Sequence, residues 1–386
     1  MCATGKKFML DLPLKVILTE KGSTHFMNRN KSLLRFKLAD NKEEYGISIH
    51  NFSPISIQNM ILVDYISKIE ISMSEFVSKR QEIMDLSKLI VFTLLYKQFD
   101  REIFSKIIQC DCVRKYNRGH AAHLIDEKTQ IPEKQLRLAL SHADDTIQLA
   151  KKTILEPVWK SILDNKDYTP EEKNVYLLMT EKFLNRLGLM NWYIIQKFYR
   201  SDGFTQMLSV VRQVLAEYMD KSKVAEYISL MVMELALNCE NTNMRKEARR
   251  MYQGTGITET AIYEPDIRAN IISELEKKKE LVYLSWKLGG GSSSIGKQGR
   301  LEITLYNRDD DFQEAKVNVE SKRDADISKR SLIDFYRQEG GEGTDLGLYY
   351  LSYLDDACKK VGIKFDSLVN QFQDSDLTVI QLNFNF

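Results

Sequence analysis

The chain has 386 residues, enough for two or three domains that each bury a core. Hydrophobic residues make up 43% and charged residues 28%, which excludes long disordered tracts. The 55 Lys and Arg against 54 Asp and Glu leave no net field to attract nucleic acid or a membrane surface. The longest apolar stretch, near Leu89 to Tyr96, is far short of the ~20 residues a spanning helix needs. Asp11 interrupts the segment where a signal peptide keeps its apolar core, and the five cysteines form no disulfide framework. These features predict a cytoplasmic protein with no membrane insertion and no nucleic-acid partner.

Residues 1–73 read as a small β-rich domain. Short runs such as Leu14-Lys15-Val16-Ile17-Leu18 and Leu33-Leu34-Arg35-Phe36 alternate with Gly, Asn and Asp turns, and no binding motif stands out. Residues 74–200 read as a helical region, a bundle that serves either dimerisation, which would give a homodimer, or signalling. Thr169-Pro170-Glu171-Glu172 is a strong helix start. Thr169 caps, Pro170 suits the first turn, and Glu172 completes a capping box. The apolar residues that follow, Val175, Leu178, Phe183, Leu187, Trp192 and Ile195, are expected on one helix.

From residue 201 to 386 the pattern becomes helix, helix, strand, strand, loop, helix, strand, strand. Phe204, Met207, Leu208, Val211, Leu215 and Tyr218 share one helical face. Leu301, Ile303 and Leu305 alternate as a half-buried strand does, and so do Ile380, Leu382, Phe384 and Phe386. Helices on one face of a mostly antiparallel sheet make an α/β two-layer sandwich. The fold class is therefore α+β, with this sandwich preceded by the helical region and the β-rich domain.

The apolar helix VAEYISLMVMELALNCENTNM, Val224 to Met244, is interrupted by Glu234 and Asn238. A spacing of four puts both on one face, one turn apart. Either they serve a Mg²⁺–nucleotide site, with Asn238 as metal ligand and Glu234 as base or water-orienter, or they face solvent at a helix end. Farther on, Gly340-Gly341-Glu342-Gly343-Thr344-Asp345-Leu346-Gly347-Leu348 is a glycine loop leading into a helix, a pattern that lets backbone N–H groups approach phosphate.

Glu234 to Asn238 resembles the N box of the GHKL (histidine-kinase-like) ATPase superfamily. The preceding helix pair looks most like that of the anti-sigma-factor serine kinases. The glycine loop resembles the family's last glycine box. The resemblance covers the C-terminal half, and it implies a Bergerat-type ATP-binding fold with ATP and Mg²⁺ as cofactors. It implies catalysis by Glu234 and metal binding by Asn238. It also implies nucleotide contacts at Asn307, Gly341, Gly343, Thr344, Leu346 and Gly347, and a regulatory protein as partner. Two positions depart from the pattern: Asn307 stands where the adenine-binding Asp is expected, and Asp345 replaces a glycine. They leave room for a degenerate interaction module that binds no nucleotide.

Three other segments come near known motifs. Gly291 to Gln298 nearly matches a Walker A loop, but Gln298 follows Lys297 where Ser or Thr is required. His142, four residues before Thr146, is the candidate phospho-acceptor if the chain is a cytoplasmic histidine kinase, although a surface histidine on a helix is the simpler expectation. Cys110 and Cys112 with His120 and His123 lack structural zinc spacing and are expected as packed helical cysteines.

Overall fold

In a computed structural model, residues 9–255, 262–289, 299–308, 353–371 and 377–386 are described. The chain forms two compact units, one from Met1–Val91 with Val224–Phe386 and the other from Phe92–Lys223. The first contains an eight-stranded sheet among the described residues. Its strands are β1 (Leu14–Leu18), β2 (Leu34–Lys37), β3 (Glu43–Ile49), β4 (Ile66–Met73), β5 (Val282–Gly289), β6 (Arg300–Arg308), β7 (Lys364–Gln371) and β8 (Leu377–Asn385). The order is β2-β3-β1-β4-β5-β6-β8-β7, and every neighbouring pair is antiparallel.

Period-two alternation gives the sheet two unlike faces. Across one, Ile69, Trp286, Ile303 and Leu382 sit in register, all fully buried. Across the other, Glu70, Ser285, Thr304 and Gln381 sit in register. The buried Glu70 carboxylate is compensated by Lys15 at 3.1 Å, Lys68 at 3.5 Å and the Ala39 N–H at 3.3 Å. The turn that carries Ala39 is closed by the Leu38 N–H donating to the Lys42 carbonyl, with Asn41 in the left-handed region. Ala39 packs on Tyr306 and Val379, so the turn covers part of this polar face.

Helices α1 (Glu20–Met27) and α2 (Pro54–Leu62) connect the first four strands. Helix α3 (Arg80–Ile107) begins in this unit and passes into the other. Helix α10 (Val224–Met251) packs on β5 and β6. Lys88 of α3 meets Glu226 at 2.5 Å and Arg80 meets Glu234 at 3.6 Å, so α3 runs antiparallel to α10. Helix α11 (Pro265–Lys278) packs on α10 through Met244, Ala248, Ile271 and Leu275. Residues 353–360 are helical and lead into β7. The sheet and its helices make this unit a mixed α/β structure.

The strands within 1–73 were expected to stand apart from the C-terminal region, but β4 pairs with β5 over six residue pairs, and a single sheet crosses that boundary. The expected start of the last domain at residue 201 also differs from the unit boundary, which falls between Lys223 and Val224. Strand periodicity identifies a strand but not its partner, and so could not place this junction.

The second unit is helical. It holds α4 (Asp111–Gly119), α5 (Glu133–Leu140), α6 (Asp144–Asp164), α7 (Pro170–Asn185), α8 (Leu189–Lys197) and α9 (Phe204–Ser222). Helices α6, α7 and α8 pack on α9, which buries Met207, Leu208, Val211, Leu215 and Tyr218. Thr169 and Glu172 form the expected reciprocal capping box. The apolar run after it is two helices rather than one. Gly188 precedes α8, and its N–H donates to the Asp100 carboxylate at 2.5 Å. Phe183, Leu187, Trp192 and Ile195 are buried, whereas Val175 and Leu178 are exposed. Phe183 stacks edge-on against Phe99 and Tyr218 at centroid distances of 5.2 and 5.9 Å.

One buried carboxylate ties the first unit together. Glu240 of α10, wholly inaccessible to solvent, accepts from the backbone N–H groups of Phe76 and Val77 and pairs with Arg268 of α11. Glu240→Ala leaves these donors without an acceptor. It should lower the unfolding free energy by about 3 kcal/mol in urea titration, while Glu240→Gln, which keeps an acceptor oxygen, costs less.

Asp100 allows a pH test in the second unit. Loss of solvation pushes its carboxyl up from 3.8, against the opposing hydrogen bonds from Gly188 and Asn191. The folded state therefore holds this proton to higher pH than the unfolded state does. The contribution is fully present below pH 3.8 and is withdrawn as pH rises through the folded value. In Asp100→Asn an amide oxygen can accept the same two bonds without a charge. Its stability relative to the unaltered chain should therefore grow between pH 3.8 and neutrality, as read from thermal midpoints.

Candidate functional site

Glu234 and Asn238 both lie on α10, well inside a helix of 28 residues, rather than at a helix end. Each is partly accessible. The Glu234 carboxylate is 3.6 Å from the Arg80 guanidinium, which holds a permanent positive charge beside it. The Asn238 carbonyl accepts from the Thr242 hydroxyl at 3.0 Å, a bond within the helix.

Asn307 is carried to the same helix by β6. It is buried, and its side-chain N–H donates weakly, at 3.5 Å, to the carbonyl of Cys239, the residue after Asn238. With the amide nitrogen facing that carbonyl, the oxygen Oδ1 points elsewhere. Oδ1 is buried and has no partner among the described residues. Asn307 is in register with Thr378 of β8, and the Thr378 hydroxyl is also buried and unpartnered among the described residues. Two adjacent hydrogen-bonding groups, that of Asn307 against α10, thus have bonding capacity that the described residues do not use. Leaving such a group unsatisfied costs about 1–3 kcal/mol.

Sequence reasoning missed Thr378, although a signal was present. In β8, Thr378 takes an apolar position of the alternation that continues through Ile380, Leu382 and Phe384. The buried Trp286 Nε1 also has no partner among the described residues. It lies across from Ile303, four positions from Asn307 and about 13 Å along the strand, and so belongs to another part of the core face.

Gly341, Gly343, Thr344, Asp345, Leu346 and Gly347 lie outside the described residues, as does the Walker-like segment Gly291 to Gln298. His142 is exposed and sits in the turn before α6 rather than on a helix. Cys110 is buried at the start of α4 but is not helical itself, and Cys112 lies within that helix. Burial pushes the Cys110 thiol up to about 11, reinforced by neighbouring Cys112 and Asp111, so it stays protonated at neutral pH. No cluster of His, Cys, Asp and Glu suited to a metal ion occurs among the described residues. No helix among them is long and apolar enough to cross a membrane.

Residues 5–386 match the family described as "Family of unknown function (DUF8084)". The chain belongs to this family. A relative from Treponema pallidum (strain Nichols), named "Uncharacterized protein", is 36% identical over 389 residues and is aligned along the whole of both chains. That match takes in both compact units. No solved structure matches the chain.

The unused bonds of Asn307 and Thr378 give a stability test. Thr378→Val removes a buried hydroxyl while keeping shape and β-branching. It should raise the unfolding free energy by about 1 kcal/mol in urea titration.

Proposed function

We propose that the α/β unit binds Mg-ATP in the manner of the GHKL ATPases and uses it to phosphorylate or grip a regulatory protein partner in the cytoplasm. The observation that carries this is the buried pair Asn307 and Thr378, whose Oδ1 and Oγ1 have no partner among the described residues, set against the helix of Glu234 and Asn238. An adenine presents both a donor amino group and ring acceptors. Asn307 Oδ1 would accept from the amino group, and the Thr378 hydroxyl would donate to a ring nitrogen. Supporting features are the sequence of strands and helices after α10 and the antiparallel order β5-β6-β8-β7.

In this proposal Asn238 supplies an oxygen to Mg²⁺, and Glu234 orients a metal-bound water or takes a proton. Gly341, Gly343, Thr344, Leu346 and Gly347 would line the phosphates. Phosphoryl transfer by such a site is mainly positioning and charge stabilisation.

A second reading, a non-catalytic interaction module, is favoured by one feature: Asn307 is an amide where the superfamily has a carboxylate. Calorimetric titration of the full chain with ATP and ADP, with and without Mg²⁺, separates the two. Under the nucleotide proposal, Thr378→Val lowers affinity for ATP and adenosine alike, by about fivefold or more for one lost hydrogen bond. Asn238→Ala weakens Mg-ATP more than metal-free ATP. Absence of binding by the unaltered chain rejects the proposal and leaves the interaction module.

A further inference from the structure

The helical unit contains a cleft of about 420 Å³ between α6, α7 and α9 and the α6–α7 connection. Its floor is apolar, with Val158 and Ile162 of α6. Two cations stand at its wall. Lys223 donates to Asp220 at 2.9 Å and to the Tyr168 hydroxyl at 3.3 Å, and its ammonium lies 5.5 Å from the Tyr168 and Tyr176 ring centroids. Burial works against its charge, but the bonds to Asp220 and Tyr168 outweigh this and raise its pKa. Lys223 and Asp220 thus largely neutralise each other.

Arg212 of α9 is the second cation, and it differs from Lys223. It makes no hydrogen bond or ion pair among the described residues, and its Nε is buried without an acceptor. A guanidinium never sheds its proton in a protein, so it cannot avoid this cost by becoming neutral. Its planar fork matches the paired oxygens of a phosphate or carboxylate. An apolar floor, a ring pair and an unpaired guanidinium make an amphipathic site of the size small ligands use.

We propose that this cleft binds a small phosphate monoester with an apolar or aromatic body, the phosphate on the Arg212 fork and the body over Val158 and Ile162. The phosphate is chosen over a carboxylate because the cleft is lined by further donors, the hydroxyls of Tyr168 and Ser209 and the Lys223 ammonium, while Asp220, the one carboxylate among the lining residues, is already held by Lys223. A phosphate's extra oxygens can use them. The site lies within Phe92–Lys223 and stands independently of nucleotide binding by the α/β unit. It gives the helical unit a role as receiver of a metabolite signal.

The test is calorimetric titration of the full chain with phenyl phosphate, benzoate, inorganic phosphate and benzyl alcohol. Phenyl phosphate should bind at least about tenfold tighter than each of the other three, since each lacks the phosphate head, the ring or both charge and fork. Arg212→Gln should lose about tenfold or more, with an unchanged far-ultraviolet circular dichroism spectrum. Ala216→Trp, which fills the cleft from an exposed position on α9, should lose binding as well and serves if Arg212→Gln fails to fold. Thr378→Val should leave phenyl phosphate affinity unaltered, which distinguishes this cleft from a nucleotide site in the other unit. No binding of phenyl phosphate, equal or tighter binding of benzoate, or binding that survives the cleft-filling or charge-removing change overturns the proposal.

Discussion

The pairing of β4 with β5 is the contact on which the α/β unit depends. Six residue pairs, from Lys68 with Lys287 to Met73 with Val282, join segments more than two hundred residues apart. Without them the sheet falls into two four-stranded halves, each with an open edge. The core face runs straight through the junction, since Ile69 and Ile71 of one half sit beside Trp286 and Leu284 of the other. The helix layer also spans it. Glu240, on α10, grips the backbone at Phe76 and Val77 just after β4, and Arg268 of α11 completes the same tie. Sheet pairing and a buried carboxylate thus hold together the two stretches of chain that build this unit.

The unit also keeps polar groups whose bonding capacity the described residues do not use. Asn307 Oδ1 and Thr378 Oγ1 share a cross-strand pair. Its carboxylates, by contrast, are met: Glu70 has three partners, and in the helical unit Asp100 accepts from both Gly188 and Asn191. Asn307 and Thr378, like Trp286 and Arg212, each keep a buried polar atom unpaired among the described residues, at a cost to stability.

Much of the local structure was legible in the sequence. The alternation of Leu301, Ile303 and Leu305, and of Ile380, Leu382, Phe384 and Phe386, places these residues on the buried face, as observed. The Thr169 capping box is a local hydrogen-bond pattern and needs no tertiary information. What escaped was set by distant partners. Val175 and Leu178 are apolar but exposed, because apolarity alone does not name the side a neighbour packs on. The buried face of α9 was identified, yet its companions α6, α7 and α8 were not, since one amphipathic stripe fits a sheet or a bundle equally well. Of the candidate site, the common helix of Glu234 and Asn238 was readable from their spacing, whereas the contact of Asn307, within β6, with the Cys239 carbonyl was not. Thr378 needed the register between β6 and β8.

The helical segment Phe92–Lys223 interrupts the α/β unit in the linear order of the chain, and this has a consequence for synthesis. The first four strands leave the ribosome together, with β4 presenting an unpaired edge. The whole helical segment and two further helices must follow before β5 appears. At roughly 5–20 residues per second, that wait lasts about 10–40 seconds. Throughout it, the backbone from Lys68 to Met73 offers the same hydrogen bonds to any passing strand that it will later give to β5. The nascent chain is therefore most prone to aggregate after β4 has emerged and before β5 has, the interval in which a chaperone that shields strand edges has the most effect.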